Sequence, residues 1–145
     1  MKKQILLMVA LTLATASFAG NKNKKAAVIE TFPDTAFTID LWQKGLPNTN
    51  GIEKNGYNDN TQNFKPCIKV FLPQKRDSLC KAVVICPGGG YSHLAMTHEG
   101  YDWAKFYNDR GVAVIVLKYR MPRSNREVPM SDAKEALRIV HEKAG

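Results

Sequence analysis

The sequence predicts an α/β fold, of the kind in which a mostly parallel sheet carries helices on its faces. Two short apolar runs rich in β-branched residues, 82–86 and 112–117, have the length of strands. A segment with helical periodicity follows each run, and a glycine loop separates the first run from its helix. This order of strand, loop, helix, strand and helix is typical of parallel α/β architecture.

The amino terminus has the three parts of a secretory signal peptide. Lys2 and Lys3 precede an apolar run over 5–16, and Ser17 and Ala19 supply the small residues that a signal peptidase requires. The apolar run is shorter than the roughly 20 residues of a transmembrane anchor. We therefore expect a signal peptide over 1–19, with cleavage after Ala19. The remaining residues, 20–145, are expected to be exported to the periplasm or the medium without a membrane anchor.

Before the glycine loop the pattern predicts three strands and one long loop. The first strand is expected over 37–42, where Phe37, Ile39 and Leu41 alternate with polar residues. The segment 45–65 is rich in Gly, Asn and Asp without periodicity, which predicts a long exposed loop. The apolar runs 68–72 and 82–86 predict the second and third strands, the latter buried.

The helix after the glycine loop is expected to run from a Thr97 N-cap to a Gly111 stop. Trp103, Phe106 and Tyr107 have i, i+3, i+4 spacing, which predicts an apolar face packed in the core.

A strand over 112–117 follows, continuously apolar and therefore expected to be covered on both faces. After a loop over 121–129, Ser131 is expected to cap a last helix that ends at Gly145. Its predicted apolar face consists of Ala133, Ala136, Leu137 and Val140.

Pro87, Gly88, Gly89 and Gly90 form the glycine loop, where only backbone N–H groups are available for chemistry. Such donors suit an oxyanion or a phosphate. A dinucleotide fingerprint fails because His93 stands where the last glycine is required, and the Gly-Lys-Ser/Thr of a P-loop is absent from the sequence. An oxyanion hole remains, with a tight turn that binds nothing as the alternative.

Four stretches together resemble the secreted bacterial α/β-hydrolases of the acetyl xylan esterase and lipase/esterase-like group, over their N-terminal part. The first is Cys-Pro-Gly-Gly-Gly-Tyr at 86–91, where Pro87 replaces the His of many relatives. The second is His-Glu-Gly at 98–100 with Trp103 and Ala104. The third is Val-Leu-Lys-Tyr-Arg at 116–120, and the fourth is the helix that carries Asp132 and Ala133.

This resemblance implies serine-dependent hydrolysis of carboxylic esters, with removal of acetyl groups from polysaccharide as the expected reaction. It assigns the oxyanion-binding N–H groups to Gly89 and Gly90 and the turn to Gly88. It places Tyr91 against the acyl or sugar side of the substrate. An ester or an acetylated carbohydrate is the expected substrate, and neither a cofactor nor a metal is expected.

The nucleophile of this fold is a serine in G-x-S-x-G, followed by an acid and a histidine. Beyond the signal peptide the serines are Ser78, Ser92, Ser124 and Ser131, and none lies between two such glycines. The resemblance therefore implies that residues 20–145 are the N-terminal half of a hydrolase domain. Nucleophile, acid and histidine are then expected beyond Gly145, and the chain alone is expected to be inactive. The strand at 82–86 is expected to leave an apolar edge open.

Two other functions remain open from the sequence. In the first, the chain is a non-catalytic exported module that binds carbohydrate or a partner through the loop 45–65. In the second, Ser92 acts as a nucleophile with His93 or His98 and Asp102.

The formal net charge is +8, which falls to +6 without Lys2 and Lys3. Basic residues cluster at 22–25 and 118–126, which indicates either solvated loops or a nucleic-acid patch. Because exported proteins seldom meet nucleic acid, no nucleic-acid partner is expected.

Cys67, Cys80 and Cys86 match no zinc site. Cys86 is expected to be buried, and the hydrolase strand order argues against a Cys67–Cys80 disulfide. The oligomeric state is left open.

Overall fold

A mixed four-stranded sheet organises the described part of the chain. The computed structural model describes residues 36–75 and 80–143. The predicted signal peptide, its cleavage site at Ala19 and the predicted helix end at Gly145 lie outside these residues. The strands are β1 (Ala36–Asp40), β2 (Cys67–Phe71), β3 (Ala82–Ile85) and β4 (Ala113–Lys118).

The strand order is β1-β2-β4-β3. β1 pairs with β2 and β2 with β4 in antiparallel register, whereas β3 and β4 are parallel. The prediction of an α/β sheet with helices is confirmed, but that of a mostly parallel sheet is not, because two of these three pairings are antiparallel.

Five helical elements accompany the sheet in the described residues. Two 3₁₀ turns, Glu53–Asn55 and Asp59–Thr61, lie between β1 and β2. A π-helical turn, Thr97–Tyr101, leads directly into α1 (Asp102–Asn108). The last helix, α2, spans Glu127–Lys143. Among the described residues, no helix is both long and apolar enough to cross a membrane.

β4 is the central strand and carries the core on both faces, as its continuous apolar run predicts. Val114 and Val116 face Ala104 of α1 and Phe71, all of them buried. The alternate positions of β4 face α2, in a larger cluster. That cluster contains Leu41, Ile68, Val70, Ala113, Ile115, Leu117, Ala136 and Ile139. The sheet is therefore packed between α1 on one side and α2 on the other.

The prediction for the helix after the glycine loop is wrong at its start and on its apolar face. Thr97 is not an N-cap, because it lies inside the π-helical turn, which begins after Met96. Trp103 and Phe106 are 46% and 45% exposed, and the residue that α1 buries is Ala104. The helix ends at Asn108, before the predicted stop; Gly111, with a φ of +73°, lies in the turn that follows.

The last helix begins earlier than predicted. Glu127 starts it, and the side chain of Asn125 accepts the Glu127 N–H at 3.2 Å. Ser131 is therefore not a cap; its hydroxyl donates to the Val128 carbonyl at 2.8 Å within the helix. Leu137, predicted to be in the core, is 57% exposed.

The segment 45–65 is only partly the exposed loop that its composition predicts, since Asn63 and Phe64 are buried. β3 is an edge strand of the described sheet and is only half-buried, with Cys86 exposed after it. The predictions of a buried strand and a buried Cys86 are therefore wrong. Cys67 and Cys80 are both free thiols and lie at opposite ends of the sheet, as expected.

Candidate active site

The register of the sheet brings three loops to one edge. Asp40 pairs with Cys67 and Cys67 with Lys118, while Ile85 pairs with Val116 near the end of β4. The loops that leave β1, β3 and β4 therefore gather where the two parallel strands end. In open α/β sheets this carboxyl edge is the usual place for ligands.

The glycine loop turns sharply through three consecutive residues with positive φ. Gly89 has φ +136°, Gly90 has φ +60° and Tyr91 has φ +57°. A Cβ at Gly89 would stand 2.3 Å from the carbonyl oxygen of His93, so only glycine fits there. A Cβ at Gly90 would meet nothing within 4 Å, and only its φ disfavours another residue. The loop thus depends on glycine for two different reasons.

Around these glycines the carbonyl groups are already bonded. The Gly88 carbonyl accepts the Ala95 N–H at 3.0 Å, and the Gly89 carbonyl accepts the Ser92 N–H at 3.0 Å. The Gly88 N–H donates to Glu99 Oε2 at 2.6 Å. Within the described residues, the N–H groups of Gly89 and Gly90 donate to no acceptor. Two neighbouring donors are thus left without an acceptor in this part of the chain, and their assignment as oxyanion donors stays a prediction.

Tyr91 projects from the tip of this loop and is 60% exposed. Its ring meets that of Tyr119 edge to face, with centroids 6.5 Å apart. Burial raises the pKa of the Tyr119 hydroxyl, and the neighbouring Tyr91, Cys86 and Glu99 raise it further. Tyr119 is therefore a neutral hydrogen-bond donor beside the loop at physiological pH.

Ser92 and His93 lie close together. The Ser92 hydroxyl donates to the Gly89 carbonyl at 2.8 Å and lies 3.1 Å from His93 Nδ1. The Ser92 hydroxyl thus has two neighbours within hydrogen-bond distance, the Gly89 carbonyl and the His93 imidazole, and it can donate to only one of them at a time. His98 instead has its Nε2 3.9 Å from Glu99 Oε1. Ser92 and His93 therefore bond within the turn, whereas His98 is exposed, and a nucleophilic role of Ser92 stays a separate hypothesis.

A second polar cluster at the same edge was not predicted. Arg120 is completely buried, and its guanidinium donates to Asp132, to Glu53 Oε1 at 3.1 Å and to the Asn48 carbonyl at 2.8 Å. Asp132, also fully buried, accepts the Trp42 indole N–H at 2.7 Å. We call these five residues the Arg120 cluster.

The Arg120 cluster changes the interpretation of the basic residues near the end of β4. Arg120 is enclosed, and Lys118 pairs with Asp59. Arg123 reaches the Thr61 carbonyl at 3.4 Å. Arg120 is thus a buried structural residue, whereas Arg123 and Arg126 are exposed to solvent. In the described part of the chain, no three His, Cys, Asp or Glu side chains are grouped to hold a metal.

Comparisons with known proteins agree with the resemblance seen in the sequence. Over 74 residues, 51% of this chain, the sequence is 42% identical to the acetylxylan esterase of Xylanibacter ruminicola, and the match covers 15% of that protein. The acetyl ester-xyloside bifunctional hydrolase of Caldicellulosiruptor lactoaceticus superposes on 74% of this chain with a TM-score of 0.54 and 30% identity. That match covers 36% of the hydrolase structure.

An esterase of Thermogutta terrifontis with bound butyrate matches 57% of this chain and 31% of its own, at 21% identity and a TM-score of 0.47. No family model matches the chain. The predicted resemblance to acetyl xylan esterases and related hydrolases is thus confirmed for part of the chain. The chain spans about a third or less of the length of these relatives.

Proposed function

We propose that this chain supplies the oxyanion-binding loop of a serine-dependent carboxylic ester hydrolase that removes acetyl groups from polysaccharide. The observation that carries the proposal is the pair of Gly89 and Gly90 N–H groups at the carboxyl end of β3, which have no acceptor among residues 36–75 and 80–143. The named activities of the acetylxylan esterase and of the acetyl ester-xyloside hydrolase support the choice of substrate.

In such a reaction a serine hydroxyl attacks the ester carbonyl and the carbonyl oxygen becomes negatively charged. Gly89 and Gly90 donate to that oxygen from a loop that their own backbone geometry already fixes, so little reorganisation opposes the charge. Loss of one such donor typically removes about 3 kcal/mol of transition-state stabilisation. Tyr91, beside them and exposed, lines the acyl or sugar side of the substrate.

The nucleophile, the acid and the histidine belong, in this proposal, to sequence that follows Gly145. In this fold the residue after the serine supplies a further oxyanion-binding N–H. Residues 20–145 are then the N-terminal half of the catalytic domain, and residues 1–19 direct its export. N-terminal sequencing of the exported protein tests the second point, because the mature chain is expected to begin at Gly20.

The decisive experiment compares this chain with the product of its coding sequence extended beyond Gly145. A G-x-S-x-G motif is expected within roughly 30 codons. The extended protein is expected to release acetate from acetylated xylan, and this chain alone is not. Absence of the motif, or an extended protein without esterase activity, contradicts the proposal. Binding of acetylated xylan by this chain without any motif downstream indicates a binding module instead.

Ser92→Ala is the matched control in the extended protein. Substantial activity is expected to remain, because in this proposal Ser92 supports the turn beside Gly89 and does not attack the ester. A fluorophosphonate probe is expected to label the serine of the downstream motif, and labelling of Ser92 would overturn this assignment.

A further inference from the structure

We infer that Glu99 and Tyr119 are positioning residues that clamp the peptide group between Pro87 and Gly88 and so hold the oxyanion-binding donors in place. The carbonyl oxygen of Pro87 and the N–H of Gly88 belong to the same planar peptide group. Tyr119 binds its oxygen and Glu99 binds its N–H. The inference rests on the proposed function for its catalytic consequence, but not for the clamp itself.

The contact of Glu99 with Gly88 is close. The Gly88 N–H donates to Glu99 Oε2 at 2.6 Å, which is the short distance of a charge-assisted hydrogen bond. A Cβ at Gly88 would stand 2.7 Å from the same oxygen. A side chain at position 88 would therefore displace the Glu99 carboxylate from this contact. The Gly88 N–H is also taken, so that among the three glycines only the N–H groups of Gly89 and Gly90 lack an acceptor in the described part of the chain.

The π-helical turn Thr97–Tyr101 brings Glu99 to this position. Gly100 lies against the sheet, where a Cβ would stand 2.9 Å from Val116 Cγ1 and 3.2 Å from Pro87 Cγ. The turn therefore rests directly on Pro87, one residue before the N–H that Glu99 binds. Short π-helical turns are frequent at functional sites, where they redirect one side chain.

Tyr119 approaches the same peptide group from the end of β4. Its hydroxyl donates to the Pro87 carbonyl at 2.7 Å. The next residue, Arg120, is fixed by its backbone N–H, which donates to Asp132 Oδ2 at 2.9 Å, and by its buried guanidinium. The Arg120 cluster therefore anchors the backbone from which Tyr119 reaches the loop.

Hydrogen exchange of the Gly88 amide in this chain, measured by NMR, tests the clamp directly. Glu99→Ala removes the acceptor, so at least tenfold faster exchange is expected for Gly88. Glu99→Gln keeps an acceptor oxygen and is expected to retain most of the protection. Tyr119→Phe frees the carbonyl alone and is expected to accelerate exchange severalfold. Unchanged protection in Glu99→Ala, with native circular dichroism, would overturn the clamp.

Esterase kinetics in the extended protein test its consequence. Glu99→Ala and Tyr119→Phe are expected to lower kcat about tenfold or more with KM nearly unchanged, because misplaced donors weaken binding of the transition state and not of the substrate. Glu99→Gln is expected to recover most of kcat. Asp109→Ala, which removes an exposed carboxylate at the end of α1, is the control and is expected to keep full activity.

The two proposals fail in different ways. An extended wild-type protein without esterase activity contradicts the proposed function, while the exchange rates still decide whether the clamp exists. An active protein in which Glu99→Ala loses protection of Gly88 but keeps kcat overturns the positioning role and leaves the proposed function standing.

Discussion

Two polar regions share the carboxyl edge of the sheet and are built in opposite ways. In the Arg120 cluster the ionic side chains of Arg120 and Asp132 are fully buried, and each has several partners. In the glycine loop the backbone is partly exposed, and two N–H groups have no acceptor among the described residues. The charged groups of the Arg120 cluster are hydrogen-bonded within the protein, which makes the cluster a rigid support. The two N–H groups of the glycine loop without such a partner can bind a ligand.

Two consecutive residues connect the two regions. Tyr119 contacts the glycine loop, and Arg120 belongs to the cluster. Buried ion pairs often contribute little to net stability, because desolvation offsets their attraction, but they fix one arrangement of the chain. This difference predicts that substitutions in the cluster lower the stability of the whole domain. Substitutions in the loop should mainly alter local geometry.

The largest effect is expected from Asp132→Ala. It leaves the Arg120 guanidinium buried without its main partner and removes the acceptor of the Trp42 indole N–H. A loss of about 3–5 kcal/mol in the free energy of unfolding is expected, measured by urea denaturation. Such a loss is a large share of the stability of an ordinary domain, so Asp132→Asn, which preserves the shape, provides an intermediate point.

The control for Asp132→Ala is Asp109→Ala, which breaks an exposed ion pair with Lys105 on α1. Exposed pairs of this kind contribute little, and the urea midpoint is expected to stay close to that of wild type. Equal losses for Asp132→Ala and Asp109→Ala would show that the buried cluster is not a special support.

A smaller effect is expected in the loop, where two neighbouring glycines form a matched pair. Gly89→Ala places a Cβ against the His93 carbonyl at a φ of +136°, and a loss of about 3 kcal/mol is expected unless the loop rearranges. Gly90→Ala has open space and only an unfavourable φ, so about 1 kcal/mol is expected. Urea denaturation and the amide spectra of the loop distinguish the two. Equal effects of both substitutions would contradict the described geometry.

Much of the sheet and of its core could be predicted, because both depend on local sequence patterns. The apolar run of β4 predicts coverage on both faces, and Val114 and Val116 do face α1 while Ile115 and Leu117 face α2. The glycines at 88–90 predict accessible backbone donors by the same local reasoning, but the pattern could not foresee that the Gly88 N–H donates to Glu99.

Departures from the prediction have identifiable physical causes. The spacing of Trp103, Phe106 and Tyr107 is that of a regular helix, but the π-helical turn before α1 adds a residue and shifts the buried position to Ala104. In the last helix, Pro129 suggests a loop although proline is tolerated in a first helical turn, and α2 begins before it at Glu127.

No local sequence pattern predicts the Arg120 cluster. Arg120 and Asn48 are 72 residues apart in sequence, and Arg120 and Glu53 are 67 apart. The sequence around Arg120 is basic, which is typical of a surface loop. Only the antiparallel return of β2 between β1 and β4 brings the three residues to one edge of the sheet. A cluster assembled in this way can be recognised only when the tertiary fold is known.

Glu53 is expected to give the smallest effect and the most specific one, because its contribution depends on pH. Burial by itself raises the pKa of this carboxyl, but hydrogen bonds from the Thr49 hydroxyl, the Asn50 N–H and Arg120 outweigh burial and lower it below the ordinary value of 4.5. A carboxyl with a lowered pKa in the folded state stabilises the fold above its unfolded pKa. That contribution is lost as the pH falls through the folded value.

Glu53→Gln is therefore expected to lower the free energy of unfolding by about 1 kcal/mol at pH 7. The difference from wild type should shrink as the pH falls below about 4, because the wild-type carboxyl then becomes neutral as well. Glu127→Gln removes a largely exposed carboxylate at the start of α2, and its urea midpoints show the effect of charge alone at both pH values. A difference between wild type and Glu53→Gln that stays constant from pH 7 to pH 3 would mean that the Arg120 cluster is held by shape and not by the charge of Glu53.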